Sequence, residues 1–360
     1  MNKNVRLTIV IKDMLHQANK LFIGIIVLVA IIVKFTACST SKTVYIVGFE
    51  NDEQHRKIAT LWKNGEKIRL SDVSDETTIS AQANSVYVSG ADVYVAGSGS
   101  RNYYTSITIS TLWKNGEKTI LTDIGKYAVA TSVYVSNSDV YVVGNEYDEQ
   151  GIWNAVLWKN GVKTSIDLRT ANSIYVSDSD IYVVGIEMNE QGRSIAMLWK
   201  NGIKTSLSNV TPATYAIANS VYVSGSDVYV AGFEYNGNRD VATLWKNGIQ
   251  TNLSGETVSN ESIGAQANSV YVSGTDVYVV GYERGNYKSY ATLWKNGKKI
   301  RLSNKYSDAK CICISGSDVY VVGFEYNNNQ KYVATLWKNG IKTSLSDGTT
   351  HADAFSVFVK

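Results

Sequence analysis

The chain has 360 residues, 19% of them charged, with 35 basic against 32 acidic side chains. That near balance excludes a general nucleic-acid binder, which carries a strong basic excess. An apolar fraction of 44% with 24 tyrosines excludes disorder and fits a strand-rich chain, and one proline against 28 glycines fits short strands joined by glycine turns.

In chain order, residues 1–20 carry Lys3, Arg6, Lys12 and Lys20 against one acid, Asp13. LFIGIIVLVAIIV follows at 21–33, thirteen apolar residues without a charge. That run falls short of the roughly 20 residues of a membrane span and suits the core of a signal peptide. Phe35-Thr36-Ala37-Cys38 comes next and resembles the lipobox of bacterial lipoproteins, with Phe35 where leucine is usual. The resemblance implies a signal segment at 1–37, lipid attachment at Cys38, and a tether over 38–42. The alternative is an uncleaved N-terminal transmembrane anchor stretched towards Ala37. Either route places the remainder in a bacterial cell envelope, and Ser39 in place of Asp favours the outer membrane or cell surface.

From residue 43 to 360 the chain is repetitive. LWKNG occurs seven times, at 61–65, 112–116, 157–161, 198–202, 244–248, 293–297 and 336–340. A VYVVG-like run precedes each copy and an SVYVS-like run follows it, with a short segment such as KTSLSD between. Each unit therefore holds four strand candidates rich in Val, Ile and Tyr. The VYVVG runs are apolar on both faces and must be covered on both sides, while Asn-Gly suits a two-residue type I′ turn. Four strands recurring in the mid-forties of residues signify a β-propeller, here seven-bladed and all-β. An open β-solenoid stack is the alternative. The ends separate the two: the final SVFV at 356–359 has its hairpin partner at 44–48, so the termini close a ring. The pattern resembles kelch-type and other exported bacterial propeller repeats over 43–360, with a single glycine where kelch carries a pair.

Two loop classes follow from this topology. The Ser-Gly-Ser-Asp and Lys-Asn-Gly turns are nearly constant and share one face; the loops after VYVVG vary and share the other, where recognition usually sits. The variable face carries Glu50, Glu146, Glu187, Glu234, Glu283 and Glu325, each two residues beyond the strand glycine, with Gly99 at this place in the second blade. Such a ring can bind a cation or a basic partner, or simply end buried strands with solvated charge. Trp153 lies on the same face, as a ligand contact or as local packing. On the constant face Lys63, Lys114, Lys159, Lys200, Lys246, Lys295 and Lys338 enter the turns, and further lysines follow them. They either discourage edge pairing or face an anionic membrane, each adding about 1 kcal/mol. Lysine is the one letter of LWKNG left without a folding role.

Chemistry-bearing residues are sparse. Cys311 and Cys313, in KCICIS where other copies read NSVYVS, are a buried reduced pair or two ligands of a metal site lacking the rest. His55 and His351 can meet near the closure with Asp52 or Asp353, but no catalytic motif fixes them. The inner strands read as bland apart from CICI. The expectation is therefore a non-catalytic, monomeric, membrane-anchored propeller without cofactors. It binds a protein or glycan partner through its variable face. The alternatives are a purely structural envelope component, or a glycan binder stacking sugars on Tyr103, Tyr104, Trp153, Tyr287 and Tyr290.

Overall fold

Both central residues of every Lys-Asn-Gly turn take positive φ, 47–52° at the asparagines and 76–94° at the glycines, the geometry of a type I′ hairpin. Each of these asparagines also accepts, through Oδ1, the backbone N–H that opens the preceding VYVVG-type strand, as from Val93 to Asn115 at 2.9 Å. In six blades its Nδ2 donates to the aspartate that starts the same strand, as from Asn160 to Asp139 at 2.7 Å. The turn lysines complete the lock. Lys114, Lys159, Lys200, Lys246, Lys295 and Lys338 pair with those aspartates at 2.7–3.4 Å and lie over the tyrosine two residues further on. In the first blade Thr43 replaces the aspartate and Lys63 lies 5.6 Å from the centre of the Tyr45 ring. The lysine of LWKNG thus has a folding role after all, holding one hairpin turn against the next.

The computed structural model describes residues 42–71, 80–101, 107–123, 125–209, 211, 214–254, 264–285 and 288–360. The segment 1–37, Cys38, Tyr103, Tyr104 and Tyr287 lie outside them. Thr43–Lys360 forms a compact unit of its own. It holds seven four-stranded antiparallel sheets, and no helix occurs among the described residues. Numbering blades in chain order, the inner strands are Ala352–Val359 in blade 1, then Ser80–Ser89, Ala128–Ser136, Thr170–Ser177, Tyr215–Ser224, Ala265–Ser273 and Ser307–Ser315 in blades 2 to 7. Ala352–Val359 pairs with Val44–Asn51 from Val44 opposite Val359 to Glu50 opposite Ala352. Thr43 and Lys360 exchange both backbone hydrogen bonds. The two ends of the unit therefore share one sheet, as the expected ring closure requires.

The gaps between blades are filled by the other two letters of the motif. Leu61 of blade 1 packs with Trp113 of blade 2, Leu293 of blade 6 with Trp337 of blade 7, and Leu336 of blade 7 with Trp62 of blade 1. Six of the seven tryptophans are at most 1% exposed, and rings of this size supply the largest apolar areas available to a core. Nearer the axis, Ser85, Ser132, Ser173, Ser220, Ser269 and Ser356 each accept a backbone N–H from the next inner strand at 3.1–3.4 Å. Cys311 takes the seventh place and accepts from Val357. One step on, Tyr87, Tyr134, Tyr175, Tyr222, Tyr271 and Phe358 form a girdle with centroids 4.7–5.0 Å apart, and Cys313 fills its remaining place. The CICI departure is thus absorbed into two structural rings. Burial pushes the Cys313 thiol up to about 12, and no group of His, Cys, Asp and Glu among the described residues could hold a metal.

The glycine of each VYVVG-type run is needed where the inner strand bulges. A Cβ on Gly232 would overlap the Ile217 carbonyl and stand 3.0 Å from the Trp245 ring. Gly232→Ala is expected to cost about 1–3 kcal/mol through overpacking, read as a lower urea midpoint with an unchanged slope.

Candidate functional site

Every inner strand carries one extra residue opposite its neighbour, a β-bulge, where the register shifts. The bulged residues are Asn84, Thr131, Asn172, Asn219, Asn268, Lys310 and Phe355. Asn84, Asn172, Asn219 and Asn268 each donate to an alanine carbonyl of the next blade at 2.8–2.9 Å, and Thr131 does so at 2.9 Å. Sevenfold symmetry fails at Lys310 and Phe355. It fails again two residues earlier, where the places read Gln82, Val129, Thr170, Ile217, Gln266, Asp308 and Asp353. The mouth of the channel on the variable face is therefore two-sided. Val129, Thr170 and Ile217 form a weakly polar arc; Gln266, Asp308, Asp353 and Gln82 form a polar one, charged in blades 7 and 1.

Within the charged arc Asp308 is 5% exposed. It meets Lys310 at 2.5 Å and accepts from Asn268 at 2.9 Å. The Lys310 side chain keeps 29% of its surface open. Asp353, on the adjacent inner strand, is 7% exposed, and its Oδ1 is buried without a hydrogen-bond partner. Burial pushes its carboxyl up to about 7, with Lys310 pulling the other way and Asp308 adding to the rise. Burial opposes the charge of Lys310, but Asp308 and Asp353 outweigh it and hold the ammonium protonated. Burial lowers Lys57, against the pull of Asp353, and its Nζ donates to Gln82 at 3.1 Å. On the far flank Gln266 and Tyr215 both donate to Asp240, at 2.8 and 3.0 Å. Burial also raises the Asp308 carboxyl, with Lys310 and Asn268 opposing; two buried carboxyls raised beside one ammonium are an arrangement suited to proton transfer.

The residues singled out from the sequence fare differently. Of the six glutamates, five pair across their own blades with outer-strand lysines. Lys67, Lys163, Lys204, Lys299 and Lys342 reach Glu50, Glu146, Glu187, Glu283 and Glu325 at 2.7–3.3 Å. Gln250 donates to Glu234 at 2.7 Å. The lysines after the turn thus join the acid row rather than the constant-face rim. Trp153 stacks on Tyr147 with centroids 3.9 Å apart and meets Tyr127 edge-on, so packing occupies it. His55 and His351 form no triad: Asp52 binds Arg56 at 2.6 Å, and His351 Nδ1 accepts the Tyr332 N–H at 3.1 Å.

The fold is that of a seven-bladed β-propeller. No family model and no curated protein matches the chain. Among solved structures it is similar to a puromycin hydrolase mutant complexed with PGG, with TM-score 0.58, 9% identity, and coverage of 85% of this chain and 52% of that one. It is also similar to a puromycin-hydrolyzing peptidase of Mycobacterium tuberculosis, with TM-score 0.56, 9% identity, and coverage of 86% and 53%. The chain thus spans about half the length of the hydrolases it matches. At this identity the likeness carries the fold alone. The expectation of a non-catalytic binder or scaffold is nevertheless withdrawn: the two similar structures are of a puromycin hydrolase and a puromycin-hydrolyzing peptidase, and a propeller fold gives no ground for excluding catalysis. That expectation rested on inner strands read from the SVYVS marker onward. Asp308, Lys310 and Asp353 stand just before the marker, in SDAKCICIS and ADAFSVFV, where the sequence marks Asp353 only as a partner for the histidines and gives Asp308 and Lys310 no role. Aligning those preceding residues across the seven copies would have exposed them.

Proposed function

We propose that the protein is a hydrolase whose chemistry lies at the charged arc of the channel mouth. Asp353 gives and takes the proton, the Asp308–Lys310 pair sets a fixed charge beside it, and the variable loops admit the substrate. The observation that carries this reading is the loss of symmetry at Asp308, Lys310 and Asp353, where a scaffold kept by duplication alone would repeat Gln or Thr and Asn. The activity of the similar structures, puromycin hydrolysis, makes amides the first substrate class to try. A positioned acid or base contributes roughly 10²–10⁴-fold. Full-length protein in detergent should therefore cleave aminoacyl arylamides with a pH limb near 7, and Asp353→Asn should slow cleavage at least about 100-fold. An Asp353→Asn protein as fast as the parent, or no turnover across amide, ester and glycoside panels, sinks the reading.

We also propose that lipid on Cys38 anchors the protein to a bacterial envelope membrane. The turn-lysine rim adds little to this. Its seven lysines face six paired aspartates, which leaves +7 − 6 = +1. Cys38→Ala should abolish incorporation of labelled fatty acid and release the protein from membranes; persistence of the label would refute the lipid anchor.

A further inference from the structure

Blade 2 departs from its sisters at three consecutive positions. After the strand glycine the other blades read Phe-Glu-Asn, Asn-Glu-Tyr, Ile-Glu-Met, Phe-Glu-Tyr, Tyr-Glu-Arg and Phe-Glu-Tyr, whereas blade 2 reads Ser98-Gly99-Ser100. A bulky side chain, the recurrent acid and a third side chain of mostly large size are all cut back together. The space they leave is part of a cavity of about 240 Å³ on the variable face.

Among the described residues that line it, Ser80, Ser98, Ser100, Thr108 and Tyr127 bring hydroxyls, Gln82 an amide, Lys57 the one charge, and Ala81 and Val129 apolar surface; none of them is a carboxylate. Lys57 is held in place by its bond to Gln82 and by the Phe49 ring, 4.5 Å from Nζ. Its other electrostatic neighbour is Asp353, so the same ammonium stands between this cavity and the proposed site. The cavity is smaller than those that enclose whole drug-sized ligands, roughly 300–1,000 Å³, and matches one end group of a substrate. Hydroxyls around one ammonium suit a small anion, Ser100 turning from the Ser80 carbonyl to which it donates at 3.3 Å, and the glutamate that would repel the anion is absent from this blade alone.

We infer that this cavity receives a carboxylate of the substrate, so that among amides the hydrolase favours small molecules or peptides bearing a free carboxylate near the bond to be cut over uncharged ones. The inference rests on the hydrolase reading for its meaning, but it is tested by binding without turnover. Full-length protein is titrated with N-acetylglycine, N-acetylglycinamide and inorganic phosphate, and binding is followed by calorimetry. N-acetylglycine should bind at least tenfold more tightly than its amide and more tightly than phosphate. Ser98→Phe refills the cavity with the residue that blades 1, 5 and 7 carry there, as Phe49, Phe233 and Phe324, and should abolish binding while leaving the circular dichroism unchanged. Lys57→Met and Thr108→Val, which keep side-chain volume, should each weaken binding, the first at least tenfold. Equal binding of acid and amide, preference for phosphate, or retention by the Ser98→Phe protein overturns the inference. Carboxylate binding without hydrolysis leaves the cavity assigned and removes only the catalytic reading.

Discussion

Lys310→Met is expected to destabilise the propeller by about 3–5 kcal/mol, because it leaves a buried carboxylate without its ion-pair partner. Asp308 is almost wholly covered and touches Lys310 at 2.5 Å; Asn268 alone does not replace an ammonium. The paired change Asp308→Gln with Lys310→Asn should behave quite differently. It installs what blades 2 and 6 already carry, Gln82 with Asn84 and Gln266 with Asn268. The new asparagine gains the option of capping the next blade's carbonyl, here that of Ala354. Removing both ions of a buried pair is often neutral or stabilising, so the double variant should match or exceed the parent in urea midpoint. It should also lose the proposed hydrolytic activity. Stability and activity then move in opposite senses, the mark of a charge kept for chemistry. A double variant as unstable as the single one would show that the pair is structural.

Asp353 adds a pH dependence of known sign. Its folded carboxyl titrates near 7 against an ordinary value of 3.8, so the folded state holds the proton more tightly than the unfolded one. Its contribution is fully favourable below about pH 4 and is lost as pH rises towards 7. Asp353→Asn should therefore raise the urea midpoint at pH 8 and leave it unchanged at pH 4.

How much of this was legible in the sequence follows from what repetition records. LWKNG, VYVVG and SVYVS recur because each does the same mechanical task in every blade, and a task done seven times announces both strand number and closure. The Leu-to-Trp contact between blades and the Asn-Gly turn could be read from side-chain type and turn chemistry. The lysine's role could not, because its aspartate partner lies some twenty residues earlier and becomes a neighbour only when two turns meet on one face. The pairing of the glutamate row was hidden for the same reason: the outer-strand lysines that neutralise it are adjacent in space, not in the chain. The charged arc was the least legible of all. Asp308, Lys310 and Asp353 are single departures inside strands whose consensus is apolar and small, and a reading that seeks the repeat discards departures from it. Ser98-Gly99-Ser100 shows the same blindness, since only Gly99 stood out and the loss of bulk on either side of it did not.

Deleting residues 352–360 should have the largest effect of any change to the chain. The deletion removes the inner strand of blade 1 and with it every backbone pair between Val44–Glu50 and Ala352–Val359. Ala352, Ala354 and Val357, all buried, leave a gap at the axis beside blades 1, 2 and 7. The Ser356 hydroxyl that ties blade 2 is lost, as is the Val357 N–H that bonds Cys311. Total stability of a folded domain is about 5–15 kcal/mol, and losing one of seven inner strands with its two interfaces should exceed it. The truncated protein is expected to show no cooperative unfolding transition in urea at 25 °C. A transplant separates the strand's packing from the closure it provides. Placing residues 350–360 and a Ser-Gly-Ser-Asp turn between Lys42 and Thr43 lets the strand fold back on Val44–Asn51 as the other inner strands do on theirs. Every blade is then a continuous piece of chain, and only side-chain packing between blades 7 and 1 closes the ring. Because that packing includes Leu336 against Trp62, the transplant should recover a single cooperative transition, at a lower midpoint than the parent. Recovery to the full parental midpoint would mean that joining the termini in one sheet contributes nothing; no recovery would mean that it is what holds the ring.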